Sequence, residues 1–465
     1  MWDFDLYGDN IALVDDTGTT LNYRGLANEG ECLFRAIGRR TLVFCLCRNT
    51  AGMVMGYTSF VNHHVVPLML GADIDSELLN NLLNIYKPEF MWIPCEMQDA
   101  FRHMEQIYDS LGYTLLKTGY DTGYILNDKL CLLIPTSGST GSPKLVRISY
   151  ENVRSNALSG TVLFRNSEQV TVLNLPMNYT YILAVLNIHL MCGGKILPVT
   201  KSILQKEFWD FYHENGANEI HGVPSTYEML MRLFSGKTDL QRFELMTQSG
   251  GKMSLELSEK LAKFAQSTGS RLAVIYGQSE ATAILGYLSE DMAVKKCGSI
   301  GKPLPGSEYY LIDETGNKVT QSGVRGELVF SGPGVTLGYA NSKEDLTKGD
   351  DFGGVLYTGD IATFDDDGYY YIVGRKKRFL KLYGKRVSLD EIEALIKGRF
   401  PEIDCATLGK DDEMKIFVTN TLLSEEIISF VSEKTGIFHG AFRVIGISEI
   451  PKNEAGKILY GKLPK

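Results

Sequence analysis

The chain has 465 residues, 44% of them apolar and 22% charged. That is enough for more than one core and excludes a peptide, a minimal binding module or a disordered tail. With 47 basic and 56 acidic residues the formal charge is −9, which argues against a nucleic-acid backbone or an anionic membrane surface as the main partner.

The 8 cysteines are scattered, with neither the dense spacing of a stapled secreted domain nor a zinc pattern, so reduced thiols are expected. The N-terminal residues lack a basic region followed by an apolar run, and no stretch approaches the length of an apolar membrane span. The expectation is a cytoplasmic protein with no membrane span and no nucleic-acid partner.

Short runs rich in Val, Ile and Leu predict strands at Thr41–Cys47, Leu130–Ile134, Val170–Leu175 and Leu272–Ile275. Helical periodicity appears at Asp75–Ile85 and Leu255–Gln266. Such alternation is the pattern of parallel sheets covered by helices. Beyond about residue 297, Gly, Pro, Asp and Tyr clusters separate short strands at Glu308–Ile312, Gly326–Phe330 and Gly368–Val373, which predicts an antiparallel or barrel-like portion.

The basic run Arg375-Lys376-Lys377-Arg378 marks a further change. After it come a helix near Ser388, strands around Glu402–Leu408 and Lys415–Asn420, and a helix at Ser424–Thr435. The predicted fold class is α/β. A large N-terminal domain (1–376) of parallel α/β sheets plus a barrel-like β portion precedes a small mobile α+β C-terminal domain (377–465), with a cleft between them. Cys45 and Cys47 fall in one strand and share a face, which suits core thiols better than metal ligands. His63 and His64, read as extended, would point to opposite faces.

The sharpest local feature is Thr136-Ser137-Gly138-Ser139-Thr140-Gly141-Ser142-Pro143-Lys144, between two strand-like runs. Backbone N–H groups exposed by glycine, several hydroxyls and one lysine are what polyphosphate oxygens need. Pro143 separates Gly141 from Lys144, so this is neither the Walker loop nor the dinucleotide fingerprint.

The loop resembles the phosphate-binding loop of the adenylate-forming, or AMP-binding, enzyme superfamily: acyl-CoA synthetases, adenylation domains of peptide synthetases and luciferases. Further segments resemble that superfamily's motifs in the same order. They are Ser249-Gly250-Gly251, Tyr276-Gly277-Gln278-Ser279-Glu280, Gly326 through Tyr339, Tyr357-Thr358-Gly359-Asp360, Gly374-Arg375 through Glu393, and Pro451-Lys452-x3-Gly456-Lys457. The match runs from about Leu21 to Lys457, nearly the whole chain.

The resemblance implies ATP and Mg2+ as cofactors. Thr136, Ser137, Gly138, Ser139, Thr140, Gly141 and Lys144 would hold the phosphates, with Gly251, Tyr276, Gly277, Ser279, Asp360 and Arg375 around the rest of the nucleotide. A tyrosine face can stack on a purine, an aspartate can accept both ribose hydroxyls, and Glu280 offers a hard oxygen anion for magnesium. The segment Gly326 through Tyr339 is read as structural, with no chemistry assigned.

Lys457 would be catalytic, bridging the attacking carboxylate and the α-phosphate of ATP. Lys377 would be the hinge about which the small domain rotates to bring Lys381 to the site for the second step.

In Pro176–Tyr181, where amino-acid adenylation domains carry an aspartate for the substrate ammonium, no acidic residue is present. An unpaired ammonium in a dry pocket is costly, so an α-amino acid is disfavoured, and Tyr179 would close an acyl pocket shared with Thr180 and Gly250. The activity implied is ATP-dependent conversion of a small-molecule carboxylic acid to an acyl-adenylate with pyrophosphate release, then transfer to a thiol. That makes the chain an acid–thiol ligase. The acceptor is coenzyme A or, alternatively, the phosphopantetheine of an acyl or aminoacyl carrier protein. A non-catalytic nucleotide-binding relative is the remaining reading, disfavoured by retention of Lys144, Glu280, Asp360, Arg375 and Lys457 together.

Overall fold

The computed structural model describes all residues except 121, 122, 124, 137–143, 165–168, 235–242, 377, 384, 454, 455 and 465. Its centre is an eight-stranded sheet in which Leu42–Cys47, Val66–Gly71, Phe90–Pro94 and Leu130–Pro135 run parallel and antiparallel strands close both flanks. The strand Leu42–Cys47 shows why its sequence reads as a continuous apolar run. Val43, Cys45 and Cys47 enter one core while Leu42, Phe44 and Leu46 enter another, as a two-residue period covered on both faces requires.

A four-stranded sheet (Val170–Leu173, Lys195–Pro198, Ile11–Val14, Thr20–Asn22) and a five-stranded sheet share the remaining core of the body. In the latter, Glu219–Gly222, Leu245–Gln248 and Arg271–Gln278 are parallel. Their carboxyl ends lead directly into Val223-Pro224, Ser249-Gly250-Gly251 and Ser279-Glu280. In open α/β sheets that edge is where ligands bind.

The barrel-like portion takes the form of an open five-stranded antiparallel sheet, ordered Lys318–Val319, Glu308–Ile312, Gly326–Ser331, Val355–Phe364, Tyr370–Arg375. Asp360 stands opposite Arg375 in its outer pair.

The helices follow their caps. Asp75 accepts from the Leu78 N–H ahead of Ser76–Tyr86, and Ser254 does the same for Leu257 ahead of Leu255–Thr268, which Gly269 ends in the left-handed region. The helix Ala51–Asn62 was not legible: Ala51 through Val61 are all buried, so it has no polar face to give a helical period. His63 caps this helix and His64 has φ 61°, so the pair is not extended. The His63 ring stacks on Phe34 at 4.5 Å, with Nε2 3.0 Å from Glu31.

From Phe379 onward the chain builds its own core. A three-stranded sheet (Cys405–Lys410, Glu413–Val418, Phe442–Gly446) and the helices Leu389–Arg399 and Ser424–Thr435 enclose Ile392, Ile396, Ile416, Ile427 and Val431. Its meeting with the body includes charged groups. Arg325 pairs with Glu391 at 3.0 Å, and Lys252 lies within electrostatic reach of Asp390 and Glu391. Among the described residues no helix is long and apolar enough to cross a membrane.

Candidate active site

The strands Leu130–Pro135 and Leu145–Ser149 pair as an antiparallel hairpin, and the Thr136 N–H donates to the Lys144 carbonyl at 2.9 Å. The two ends of the Ser- and Gly-rich loop are thereby clamped at one point of the cleft. Ser137, Gly138, Ser139, Thr140 and Gly141 lie outside the described residues, as does Lys377.

From that clamp the Lys144 ammonium sits 5.2 Å over the Tyr339 ring. The Tyr339 hydroxyl donates to Glu280 Oε1 at 2.8 Å. Burial first, and then the Glu280 carboxylate, pushes the Tyr339 phenol above its ordinary range, which keeps it a proton donor. Glu280 itself is held in a one-turn 3-10 segment, Ser279–Ala281. Its carbonyl accepts from the Thr336 N–H and hydroxyl, each at 3.0 Å. Ser279 meets Thr180 through their hydroxyls at 3.2 Å, which ties this segment to the first turn of the helix Thr180–Cys192. Tyr179, half-buried, precedes that helix and packs on the main core.

A second cluster forms around Asp360, which is almost fully buried. Tyr276 Oη and Gln278 Nε2 donate to its Oδ2 at 2.5 and 2.9 Å, and Arg375 Nε reaches Oδ1 at 3.1 Å. Tyr276 therefore presents its hydroxyl to Asp360, and burial followed by that carboxylate pushes its pKa well up. Gln278 also donates to the Thr358 carbonyl at 3.1 Å. It was quoted only as part of a motif, yet it joins the two strands that carry Tyr276 and Asp360.

Gly277 has a packing reason of its own: a Cβ there would stand 1.9 Å from the Ala283 carbonyl oxygen. Gly250, with φ +83°, and Gly251 lie against Val223 and Pro224. Gln248 Nε2 fastens their turn through the carbonyls of Ser249 and Gly251 at 3.0 and 2.9 Å.

Lys457 arrives from the other body. Lys452 and Ile458 pair across a short hairpin, closed by Asn453, whose N–H donates to the Lys457 carbonyl at 2.9 Å and whose side chain accepts from the Lys457 N–H at 2.9 Å. Gly456, with φ +72°, passes so close to Ser225 at the start of the helix Pro224–Leu233 that a Cβ would lie 3.0 Å from its hydroxyl. The Lys457 side chain is exposed and lies within electrostatic reach of Arg375, Glu280 and Asp360. Desolvation and then Arg375 hold its pKa below the ordinary lysine value, against the pull of Glu280 and Asp360.

Lys381 is not part of this cluster. It lies exposed on the hairpin strand Phe379–Leu382, where its backbone bonds Asp411 and Asp412. Arg375 and Asp360 join the strand Tyr370–Arg375 to the site; Tyr339, read from the sequence as structural, stands at its centre. Its signal in the sequence is the end of the segment Gly326 through Tyr339, where Gly338, with φ of +110°, turns the chain into an edge strand beside Leu145–Ser149.

The donor set fits a magnesium nucleotide. Lys144, Arg375 and Lys457 supply positive charge, and Glu280 keeps Oε2 without a hydrogen bond from any described residue.

Comparison with known proteins agrees. The 2-succinylbenzoate–CoA ligase of Bacillus cytotoxicus is 27% identical over 409 residues, spanning 83% of this chain and 82% of its own. The oxalate–CoA ligase of Arabidopsis thaliana is 26% identical over 354 residues, 71% of this chain and 66% of its own. Among solved structures, the o-succinylbenzoate CoA synthetase (MenE) of Bacillus subtilis with its acyl-adenylate intermediate aligns over 100% of this chain and 98% of that one. The TM-score is 0.81 at 18% identity. The ATP-bound MatB of Rhodopseudomonas palustris aligns over 98% and 96%, with TM-score 0.78 at 21% identity. The sequence signature described as AMP-binding enzyme matches residues 3–340, so the chain belongs to the AMP-binding enzyme family.

Proposed function

We propose that the chain is an AMP-forming acid–CoA ligase. It joins a carboxylic acid to the α-phosphate of ATP, releasing pyrophosphate, and then transfers the acyl group from AMP to the thiol of coenzyme A. The observation that carries this reading is the approach of the C-terminal body's hairpin to the main body, with Gly456 packed against Ser225 and Lys457 within electrostatic reach of Arg375, Asp360 and Glu280. A static nucleotide binder has no use for a lysine delivered from a separate core.

Carboxylate attack brings two anions together, and an ammonium between them stabilises the charge that accumulates. Lys144 and the loop segment it ends would bind the β- and γ-phosphates, Asp360 and Arg375 would orient the ribose and α-phosphate, and Glu280 would hold a magnesium ion, which would neutralise phosphate charge. One Asp360 oxygen already accepts two hydrogen bonds and the other is paired with the Arg375 guanidinium, so its position is fixed before the ribose arrives.

Tyr179, Thr180 and Gly250 bound the acyl site, and the lack of an acidic residue at Pro176–Tyr181 favours an acid without an α-ammonium. The main body comprises 1–376 and the mobile lobe 377–465. Rotation about Lys377 withdraws Lys457 after adenylation and brings Lys381 toward the thiol step.

Pyrophosphate release screened over aryl, short-chain, medium-chain, hydroxy and dicarboxylic acids, with and without coenzyme A, tests the reading. A thioester should form with free coenzyme A. Transfer only to a holo carrier protein would replace the acceptor, and absence of pyrophosphate with every acid would sink the enzyme assignment.

A further inference from the structure

We propose that Tyr339 is a positioning residue that presets Glu280 for magnesium and Lys144 for the nucleotide phosphates, an inference that rests on the reading above. One aromatic side chain touches both charged groups: its hydroxyl holds Glu280 Oε1 at 2.8 Å, and its ring lies 5.2 Å beneath the Lys144 ammonium.

The Tyr339 side chain is itself fixed. Its backbone pairs with Val146, in the strand that directly follows Lys144. Its carbonyl accepts from Arg147 Nε at 3.0 Å, and its ring meets Phe352 edge-on at 5.4 Å. Arg147 is fully buried and also bonds the Leu337, Lys348 and Gly349 carbonyls and the Asp351 carboxylate. The segment from Thr336 to Tyr339 thus grips Glu280 at both ends, with Thr336 on its carbonyl and Tyr339 on its carboxylate.

A carboxylate with one oxygen tied to a rigid donor has lost the freedom to rotate, and its other oxygen is presented in one direction. A ligand oriented in this way binds a cation more tightly than a freely rotating one, since partners behind metal ligands are worth roughly 10–100-fold in affinity. The ring acts separately. A cation parked over an aromatic face is weakly held and already located, so phosphate can take it with little rearrangement. Lys144 and Glu280 lie 136 positions apart in sequence, and Tyr339 is the point at which their placement is coordinated.

The test is equilibrium binding of ATP to the full chain by calorimetry without any acid, once in excess Mg2+ and once in EDTA. Tyr339→Phe keeps the ring and its packing. It should leave binding in EDTA within about twofold and weaken binding in Mg2+ by on the order of tenfold. Tyr339→Leu should also weaken binding in EDTA several-fold. In a Glu280→Gln background, Tyr339→Phe should have no further effect on the Mg2+ increment.

A thermal melt of each variant separates loss of fold from loss of positioning. Equal weakening with and without Mg2+, or additive effects of the two substitutions, would overturn the inference while leaving the ligase reading intact. Failure of the wild-type chain to bind ATP at all would overturn both.

Discussion

Replacing Lys457 by alanine should separate the two half-reactions. Among the described residues, Lys457 joins Lys144 and Arg375 as cations of the site, and it is carried by the C-terminal body. Because Lys144 and Arg375 remain, nucleotide affinity should change little, whereas adenylation loses a donor placed for the transition state. A single preorganised donor of this kind is worth on the order of 10²–10³-fold in rate, about 2.7–4 kcal/mol.

The pH dependence adds a second signature. Desolvation by nearby protein and then Arg375 lower the Lys457 pKa, so the ammonium is lost at a pH below that of a free lysine. The alkaline limb of the adenylation rate at limiting ATP should begin correspondingly early. Bound polyphosphate favours the charged form, so the same limb should move upward at saturating ATP.

The assay is single-turnover pyrophosphate release across pH, alongside thioester formation from chemically prepared adenylate and coenzyme A. Lys457→Ala should lose most of the first, keep most of the second and abolish the alkaline limb. Equal loss in both steps, or an unchanged limb in the variant, would refute the role given to this lysine.

Three further outcomes follow from packing and charge. Gly277→Ala places a methyl 1.9 Å from the Ala283 carbonyl and should cost about 3 kcal/mol or more in urea unfolding, since backbone must move; a loss under 1 kcal/mol would contradict the geometry. Arg147→Met removes a buried donor from half-exposed Asp351 and from four backbone carbonyls, of which Leu337 keeps the Asp351 N–H, so a loss of about 3 kcal/mol is expected, with lower activity because Tyr339 shifts. Unaltered denaturation would argue against it.

The buried Glu219, His189 and His221 set gives a pH test. Burial raises the Glu219 pKa, but His189 and then His221 pull it below the carboxylate range. His189, lowered by burial, ends raised by Glu219. Stability from Glu219 is present above its ordinary value and lost as pH falls through the depressed one. Stability from His189 is present below the ordinary imidazole value and lost as pH rises through the raised one. Glu219→Gln should flatten both limbs of urea stability against pH, and identical profiles would refute the pairing. The His189 and Glu219 atoms are 3.0 Å apart but off-line for a hydrogen bond, so the attraction is chiefly ionic.

The elements that were legible from sequence are those whose local chemistry agrees with their surroundings. Ser424–Thr435 and Glu308–Ile312 fall where the pattern placed them, and Ser388 caps its helix by accepting from Glu391. The buried helix Ala51–Asn62 lacked a polar face, and the strand Tyr339–Ala340 is too short to carry a period. At the site, contiguous motifs named Glu280, Asp360, Arg375 and Lys457. What they could not show was the hydroxyl of Tyr339 on Glu280 or the tie from Gln278 to Asp360, because those bonds span 59 and 82 positions. The cap His63 was misread for the same reason: its conformation is set by the helix before it and by Phe34.

The contact between the two cores has a bearing on how the protein responds to its medium. Arg325 and Glu391 are both partly solvated, and Lys252 faces Asp390 and Glu391 across the same seam. Such attractions fade over a Debye length of about 8 Å at physiological ionic strength and about 3 Å at 1 M. Dissolved electrolyte is therefore a dial on the grip between the halves, one that leaves their greasy interiors untouched.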